Sequence, residues 1–426
     1  MGNDDNATFR QSDGFAVTRL LALLVALCLA VPVAAQDKDA VERQFQSWLE
    51  QKIWPQARAK GVSRKTFDAA FDGVTLNWKL PDLVPPGTRA QTPKNQRQAE
   101  FGSPAYYMRS KALRDATAAG QRMAKRHAKA LARTEAQTGV PGRIILAIWG
   151  RETGYGKVDI KYNAFRVLGT KGFMSTRADY FTKELIAALQ IKQKGYVRGT
   201  LRSSWAGALG QPQFMPTNFL EYARDGDGDG RRDIWDSQAD TFASIAAYLV
   251  GHGWVPGRDW GFEVKLPSNL SCTLEGPDQA RSIAQWADMG ITRVSGRPFP
   301  EHELRGSGSL MLPAGRNGPA FIVTPNFYVL KDYNFSDLYA LFVGHVGDRI
   351  DYNMKDFRGP WGQFSKMYRS DIAAMQRALE RQGYDVGGAD GLVGFKTRRS
   401  IGQWQERKGQ RATCFPDTKL VKALAR

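Results

Sequence analysis

Residues 141–156 read PGRIILAIWGRETGYG, and this stretch predicts the helix around which the fold is built. Pro141 opens the helix and the glycines at 154 and 156 end it, since proline suits a first helical turn and glycine a C-terminal cap. The apolar residues at 144, 145, 148 and 149 share one face of this helix. Glu152 continues that face, four residues beyond Ile148. A carboxylate at the end of an apolar stripe is partly desolvated, so we expect its pKa to be raised.

Glu152 is therefore a candidate general acid. A glutamate that stays protonated near neutral pH can protonate a leaving oxygen, as such acids do when a glycosidic bond is cleaved. The alternative is a frayed helix end at which the side chain of Glu152 points into solvent. The helix alone does not choose between these two interpretations.

The length and the N-terminal residues indicate an exported protein of several domains. A chain of 426 residues is long enough for two or three domains. Residues 20–33 (LLALLVALCLAVPV) form an apolar run that is too short to span a bilayer and is typical of a signal peptide. We expect residues 1–35 to be this signal peptide and the mature protein to be periplasmic. Cys28 suggests a lipoprotein instead, but Leu27 before it is too large for lipid attachment.

The charge and the cysteines restrict the partners. The chain has 60 Lys and Arg against 42 Asp and Glu, a net charge of +18, which implies an anionic partner. An exported protein does not routinely meet nucleic acid, so a cell-wall polymer or an anionic membrane surface fits better. After cleavage only Cys272 and Cys414 remain. They can pair in an oxidising compartment or stay as thiols, and two thiols cannot build a metal–thiolate cluster.

The periodicity of apolar residues predicts a mainly α (α+β) fold. Helical patterns cover residues 41–71 (two helices), 104–138 (one basic helix), 176–193, 241–251 and 334–350, with an irregular, proline-rich loop over 73–95. Short β-prone runs at 262–266, 309–312 and 321–324 are separated by glycine and proline. They predict a small sheet region inserted between about residues 259 and 332.

A second unit starts near Ser365. One helical pattern runs through Ile372 and Leu379 and stops at Gly383, and another covers residues 395–405. A unit of about sixty residues has little core and is marginal alone, so we expect a small appended module.

Residues 225–236 (DGDGDGRRDIWD) have the pattern of a calcium-binding loop. Aspartates at alternating positions supply oxygen ligands that converge on one ion, and Gly230 permits the sharp turn. The twelfth residue is Asp236 rather than glutamate, so Asp240 is an alternative last ligand in a longer loop. The other interpretation is a solvated acidic turn without an ion. A bound Ca²⁺ would brace the loop rather than act in catalysis, and no organic cofactor is expected.

Residues 203–216 (SSWAGALGQPQFMP) have the composition of a sugar-binding loop. Glycines at 207 and 210 let the backbone approach a ligand closely, and Ser204 and Gln213 offer neutral hydrogen-bonding groups. Aromatic residues at 205 and 214 add to the suitability for a sugar. The alternative is a glycine-rich turn with a packing role only.

These motifs, together with PNFYVLKDYN at residues 325–334, resemble the lytic murein transglycosylase B family from about residue 41 to residue 359. Residues 379–405 (LERQGYDVGGADGLVGFKTRRSIGQWQ) resemble a peptidoglycan-binding module built of three helices. The resemblance implies a lysozyme-like helical catalytic domain over residues 36–362 and a peptidoglycan-binding domain over residues 365–426.

The resemblance also implies roles for individual residues. Glu152 matches the only catalytic acid/base of the family. The positions that match the substrate groove are Ser204, Gln213, Tyr248, Tyr333, Asn334, Tyr339 and, by its distance upstream of Glu152, Tyr107. The positions that match calcium ligands are Asp225, Asp227, Asp229 and the carbonyl of Arg231, with the last ligand open between Asp236 and Asp240.

The implied reaction is cleavage of the MurNAc–GlcNAc β-1,4 bond of peptidoglycan. Ordinary glycosidases need two carboxyl groups, so an enzyme with one must use groups of the substrate. The 2-acetamido oxygen can stabilise C1 and the C6 hydroxyl can then attack it, which gives 1,6-anhydro-N-acetylmuramic acid. Glu152 would be acid first and base second.

Two alternatives stay open. The protein is a lysozyme-like hydrolase if Asp159 or Asp179 provides a second carboxylate, or a non-catalytic wall-binding protein if Glu152 is inert. The expected partners are peptidoglycan glycan strands and complexes of cell-wall synthesis or division. We expect deletion of residues 365–426 to weaken binding to the sacculus and to spare cleavage of short soluble glycans.

Overall fold

The computed structural model describes residues 37–89, 104–197, 199–362 and 367–424. The signal peptide expected at residues 1–35 and the expected domain boundary after residue 362 lie outside these ranges. Among the described residues, none of the helices combines the length and the apolar character needed to cross a bilayer.

The helices of the described residues confirm the mainly α fold. They are α1 (Lys38–Trp48), α2 (Trp54–Ala59), α3 (Arg64–Phe71), α4 (Pro104–Tyr107), α5 (Ser110–Arg126), α6 (Ala128–Thr138), α7 (Gly142–Thr153), α8 (Ala164–Met174), α9 (Ala178–Gln193), α10 (Pro216–Tyr222), α11 (Gln238–Gly251), α12 (Ile283–Asp288), α13 (Glu301–Leu304), α14 (Pro325–Asp332), α15 (Asp337–Tyr352), α16 (Arg369–Arg381), α17 (Phe395–Arg407) and α18 (Thr418–Leu424). A π-helical turn, Leu49–Ile53, joins α1 to α2.

The strands are short. They are β1 (Tyr162–Asn163), β2 (Arg202–Ser203), β3 (Gly261–Lys265), β4 (Arg281–Ser282), β5 (Thr292–Arg293), β6 (Ser307–Met311), β7 (Pro313–Arg316) and β8 (Ala320–Val323).

Helix α7 lies at the centre of the helical part, as its apolar sequence predicts. All its residues from Gly142 to Trp149 are buried, and α5, α11 and α15 pack around it. Pro141 occupies the N-cap and Gly154 the C-cap at φ +58°, which confirms both predicted ends. Gly347 of α15 allows a close approach, since a Cβ there would lie 3.0 Å from the Ile144 side chain.

The predicted basic helix over residues 104–138 is wrong as a single element, because it is divided into α4, α5 and α6. The break between α5 and α6 falls at His127, which leaves the helical region at φ −111° and ψ 21°. Its ring packs edge-on against Trp149 and Phe242, at 5.7 Å and 5.5 Å between ring centroids. Burial of this ring against the core explains the bend in the chain.

Two further details of the helical part differ from the predicted pattern of helices. Helix α8 was not predicted, although nearly all of it is buried against α9 and the N-terminal helices. Helix α9 begins at Ala178, and Tyr180 is not on its buried face, since 40 % of the residue is exposed. The ring of Tyr180 instead lies under the Arg177 guanidinium, 5.2 Å away.

The inserted β region is confirmed. The three predicted runs form β3, β6 and β8 of an antiparallel sheet with the strand order β4-β6-β8-β3-β5. Its register pairs Gly261 with Val323 and Met311 with Phe321. The chain leaves β8 directly into α14, which carries the predicted PNFYVLKDYN motif towards the helical part.

The C-terminal module consists of α16, α17 and α18 around a small apolar core. It is more closely integrated than the expected appended unit. Cys272 of the β region and Cys414 of the module form a disulfide across 142 residues, and Cys414 also belongs to the apolar core of the sheet. The module and the inserted sheet therefore share part of one core.

Candidate functional site

Glu152 lies in the last turn of α7, and its carboxyl group is turned towards α15. Its Oε1 accepts a hydrogen bond from the Tyr339 hydroxyl at 2.6 Å. Burial raises the pKa of Glu152 to about 7, while the Tyr339 hydrogen bond and the Arg151 charge oppose that rise. A frayed, solvent-directed end does not describe this residue. The carboxyl can hold a proton near neutral pH and can also release it.

Tyrosines predicted for the groove lie next to this carboxyl. Tyr339 is fully buried, and its ring is stacked on Tyr333 with 6.2 Å between centroids and 11° between planes. Tyr248 packs against Tyr333 at 4.8 Å. Burial raises the pKa of Tyr339 and of Tyr333 well above the ordinary value, and the nearby charge of Glu152 adds to it. Both phenols stay protonated, so Tyr339 is a hydrogen-bond donor to Glu152.

The hydroxyl groups of the other two tyrosines hold the backbone of the groove. Tyr333 donates to the Pro212 carbonyl at 2.8 Å, and Tyr248 donates to the Asp332 carbonyl at 3.0 Å. Tyr333 thus connects the end of α14 to the 203–216 loop, and Tyr248 connects α11 to the end of α14.

The two predicted polar residues of this loop also stabilise the loop itself. Ser204 Oγ accepts from the backbone N–H groups of Ala206 and Ala208, at 3.3 Å and 3.1 Å. Gln213 adopts φ +56°, and its Nε2 donates to the Gly210 carbonyl at 2.9 Å. Both side chains remain partly exposed, so the packing interpretation and the ligand-binding interpretation each describe part of their role.

The aromatic residues of the same loop differ from each other. Phe214 is buried and packs against Tyr248 and Tyr333, so it supports the tyrosines rather than facing a ligand. Trp205 is 50 % exposed and lies within 5.4 Å of the Lys171 ammonium group.

Tyr107 and Asn334 are the two remaining residues predicted for the groove. Tyr107 accepts a hydrogen bond from Arg151, whose guanidinium carbon is 4.6 Å from the centre of the Tyr107 ring. Asn334 follows Tyr333 in the loop between α14 and α15 and is exposed. Tyr107 therefore contacts the neighbour of Glu152, whereas Asn334 is connected to the tyrosine cluster through the adjacent Tyr333.

Gln211 was missed by the sequence analysis and links several parts of the site. Its Oε1 accepts from Trp149 Nε1 at 2.6 Å, and its Nε2 donates to the Trp235 carbonyl at 2.6 Å. Its own carbonyl accepts from Thr153 Oγ1 at 3.1 Å. Gln211 thus ties the last turn of α7 to the C-terminal end of the acidic loop. The sequence signal for this role is its position between Gly210 and Gln213, within the loop already predicted to belong to the site.

Gly150 and Tyr155 fix the chain on either side of Glu152. A Cβ at Gly150 would lie 2.4 Å from the Tyr155 ring, which folds back over the helix at φ +64°. The Tyr155 hydroxyl donates to the Ala116 carbonyl of α5 at 2.8 Å. The GRETGYG sequence therefore closes α7 with a tightly packed turn.

The acidic loop brings carboxylate oxygens of Asp225, Asp227 and Asp229 within 4.8 Å of one another. Asp225 accepts backbone N–H groups of Gly228 and Gly230, at 2.6 Å and 2.8 Å, which lowers its pKa. The backbone thus turns around Asp225, and the carboxylate oxygens of the three aspartates lie close enough together to contact one ion. The oxygen-rich donor set fits a hard cation such as Ca²⁺.

The two candidate last ligands have different surroundings. Asp236 is exposed and forms an ion pair with Arg202 at 2.9 Å. Asp240 is buried and accepts the backbone N–H groups of Gly226 and Asp233, at 2.8 Å and 2.5 Å. Asp240 is therefore the carboxylate joined to the loop. The Arg231 side chain is paired with Asp229.

The fold is lysozyme-like and mainly helical, and the site holds one buried carboxyl group beside a cluster of tyrosines. The chain belongs to the transglycosylase SLT domain family, whose pattern matches residues 44–348. A peptidoglycan binding domain family matches residues 368–424.

A curated relative is the membrane-bound lytic murein transglycosylase B of Escherichia coli (strain K12). It is 34 % identical over 214 residues, which cover 50 % of this chain and 57 % of the relative. The chain thus spans little more than half the length of this relative.

Solved structures extend the similarity. SltB3 from Pseudomonas aeruginosa in complex with NAG-anhNAM-pentapeptide is 35 % identical, with a TM-score of 0.77, covering 90 % of this chain and 99 % of that chain. The Escherichia coli lytic transglycosylase Slt35 in complex with calcium is 27 % identical, with a TM-score of 0.54, covering 73 % of this chain and 92 % of that chain.

Proposed function

We propose that this protein is a lytic transglycosylase that cleaves the MurNAc–GlcNAc β-1,4 bond of peptidoglycan and forms 1,6-anhydro-N-acetylmuramic acid. The observation that carries the proposal is the carboxyl group of Glu152, with a pKa raised to about 7 and a hydrogen bond from Tyr339. Family membership and the similarity to SltB3 bound to an anhydro-muropeptide support it.

Glu152 acts twice in this proposal. Its protonated carboxyl donates a proton to the leaving glycosidic oxygen while the 2-acetamido oxygen of the substrate stabilises C1. The resulting carboxylate then accepts the proton of the C6 hydroxyl as that oxygen bonds to C1. A pKa near 7 suits both steps, because neither protonation state is strongly disfavoured at neutral pH. The Tyr339 hydroxyl stabilises the carboxylate between the steps.

The surroundings of Glu152 favour one catalytic carboxylate over two. Burial, the Tyr339 hydrogen bond and the Arg151 cation account for its pKa, and no described carboxylate adds to the shift. The candidates for a second carboxylate, Asp159 and Asp179, are both exposed, and Asp159 faces Lys161 at 3.8 Å. These observations support the anhydro-forming reaction over lysozyme-like hydrolysis.

Mass spectrometry of the products tests the proposal. Purified sacculi digested with the protein should release muropeptides that end in the anhydro sugar, each one water lighter than the hydrolysed equivalent. Reducing ends alone would indicate a hydrolase, and intact glycan strands would indicate a wall-binding protein without activity.

We also propose that the acidic loop holds one structural Ca²⁺ through Asp225, Asp227, Asp229, the Arg231 carbonyl and Asp240. The convergence of the first three carboxylates and the attachment of Asp240 to the loop support this, as does the calcium complex of Slt35. Calcium binding should be lost in Asp225→Asn and kept in Asp236→Asn, because Asp236 is paired with Arg202. Isothermal titration with Ca²⁺ and Mg²⁺ measures both.

A periplasmic location completes the proposal. The disulfide between Cys272 and Cys414 is suited to an oxidising compartment, and the peptidoglycan-binding family match supports a substrate outside the cytoplasm. Cell fractionation with detection of the cleaved N-terminus tests it. Association with complexes of cell-wall synthesis or division stays a prediction.

A further inference from the structure

The C-terminal module contacts the segment that carries the groove tyrosines. Arg398 of α17 is buried, and its Nη2 donates to Asp337 Oδ2 at 3.0 Å. The same guanidinium binds both carboxylate oxygens of Glu275, at 2.6 Å to Oε1 and 3.0 Å to Oε2. Asp337 is the first residue of α15. One arginine of the module thus joins the β region to the start of a helix of the catalytic domain.

Asp337 also closes the loop between α14 and α15. Its Oδ1 forms an ion pair with Lys331 Nζ at 2.8 Å. Tyr333, Asn334 and the largely exposed Phe335, which adopts φ +52°, lie between these two residues. The backbone N–H groups of Asn334 and Phe335 donate to the Lys331 carbonyl at 3.1 Å and 2.6 Å. The Lys331–Asp337 pair therefore fixes both ends of the loop that follows α14 and contains two of the predicted groove residues, Tyr333 and Asn334.

The start of α15 leads directly to the catalytic acid. Ser336 caps the helix by accepting the Tyr339 N–H at 3.1 Å, and the Tyr339 hydroxyl donates to Glu152 at 2.6 Å. A displacement of Asp337 would move this first turn and the Tyr339 hydroxyl with it. A misplacement of about 1 Å in a catalytic constellation can lower a rate by about a hundredfold.

We propose that Arg398 is a positioning residue for the cleavage reaction, because it holds Asp337 and through it the Tyr339 hydroxyl on Glu152. The inference rests on the proposed function of the groove. It assigns the module a part in turnover itself, in addition to any tethering of the enzyme to its substrate. Removal of the module should then lower cleavage of short soluble glycans, contrary to the expectation for an appended tether.

A second ion pair across the same interface provides a matched control. Arg399, the next residue of α17, binds Asp278 with both distances at 2.8 Å. Asp278 lies in a 3₁₀ turn of the β region, and its carboxylate is half exposed. Loss of this pair removes an interface contact without touching α15.

The test compares neutral variants of the two pairs in the full-length, disulfide-bonded protein. The variant Arg398→Gln with Glu275→Gln removes the hold on Asp337 without leaving an unpaired buried charge. We expect kcat on a short soluble muropeptide chain to fall about tenfold to a hundredfold, with little change in KM. Arg399→Gln with Asp278→Asn should keep the wild-type kcat.

A single isosteric change in the catalytic domain covers the possibility that the double variant does not fold. Asp337→Asn keeps the side-chain shape and weakens the contact with Arg398. It also weakens the ion pair with Lys331, so it should lower kcat by at least a similar factor. Its combination with Arg398→Gln and Glu275→Gln should lower kcat by less than the two effects multiplied together, because both changes weaken the Arg398–Asp337 contact. Arg398→Lys should have a kcat between those of the wild type and the glutamine variant, since an ammonium group cannot reproduce the forked contacts of a guanidinium group.

The outcomes separate the two proposals. A wild-type protein that leaves glycans intact overturns the proposed function. A wild-type protein that cleaves them, together with folded variants of unchanged kcat, overturns the role of Arg398 alone. A rise in KM without a fall in kcat would also overturn it, because substrate binding rather than positioning would then be affected.

Discussion

Glu152 in the groove and Glu275 beneath the C-terminal module are both withdrawn from water, but their partners differ. Glu152 meets a neutral hydroxyl group, that of Tyr339, and its pKa is raised to about 7. Glu275 is fully buried and meets the Arg398 guanidinium through both oxygens, and it accepts the Leu312 N–H at 2.8 Å. Burial raises the pKa of both carboxyl groups. The Arg398 cation opposes that rise at Glu275 through its charge and its hydrogen bonds, whereas the Arg151 cation opposes it at Glu152 through its charge. The hydrogen-bond partner therefore distinguishes the two glutamates: a neutral hydroxyl group at Glu152 and a cation at Glu275.

The largest expected effect concerns Glu152, whose hydrogen-bond partner is a neutral hydroxyl group. Glu152→Gln removes the transferable proton and keeps the shape, so release of muropeptides from sacculi should fall by about a thousandfold or more. Pull-down with purified sacculi should show retained binding. Asp159→Asn and Asp179→Asn serve as controls and should retain turnover. Substantial activity in Glu152→Gln would mean that another group supplies the proton.

The second effect concerns Glu275, whose hydrogen-bond partner is the Arg398 guanidinium. Glu275→Ala leaves Arg398 buried with Asp337 as its remaining carboxylate, so the free energy of unfolding should fall by about 3 to 5 kcal/mol. Denaturant titration under non-reducing conditions measures it. Asp278→Ala removes the half-exposed partner of Arg399 and should change the free energy by less than about 1 kcal/mol. Equal losses in the two variants would contradict the comparison.

A smaller effect links the pKa of Glu152 to stability. The pKa of Glu152 is about 7 in the folded protein, and the ordinary value of 4.5 applies to the unfolded protein. Between these two pH values the folded state therefore retains a proton that the unfolded state releases. The stability that this proton gives the folded state is fully present below pH 4.5 and is lost as the pH rises through 7. Glu152→Gln should therefore be more stable than wild type at pH 8, by up to about 3 kcal/mol, and nearly equal at pH 4.5. Thermal unfolding at both pH values decides the matter.

The smallest effect sharpens the role of the hydroxyl partner. The Tyr339 hydrogen bond lowers the pKa of Glu152, so Tyr339→Phe should raise it and move the alkaline limb of kcat/KM upward by about one pH unit. Tyr248→Phe is the matched control, because its hydroxyl donates to the Asp332 carbonyl instead. Identical pH profiles for the two variants would show that Tyr339 does not act on the acid.

The sequence predicted elements whose information is local. Helix α7 and both its ends follow from Pro141, Gly154 and the apolar stripe, and the three β-prone runs became strands. The pairing of Cys272 with Cys414 was left open, because sequence separation says nothing about proximity. Helix α8 was not predicted, since two glycines and the buried polar residues Thr170 and Lys171 interrupt the apolar pattern on which a helix prediction depends.

Contacts between distant segments could not be predicted in the same way. The break at His127 depends on rings that come from α7 and α11. The role of Gln211 depends on Trp149 and Trp235, which lie on different segments of the chain. For the candidate site, motif resemblance assembled the groove residues, whereas the Arg398–Asp337 contact required the positions of two domains.

The close contact between Gly150 and Tyr155 links the mutational tolerance of two positions five residues apart. Any substituent at position 150 would enter the space of the aromatic ring, and a shorter residue at position 155 would leave that space vacant. A library randomised at both sites and selected for a folded protein should therefore recover correlated pairs. In these pairs a larger side chain at position 150 should occur together with a smaller side chain at position 155.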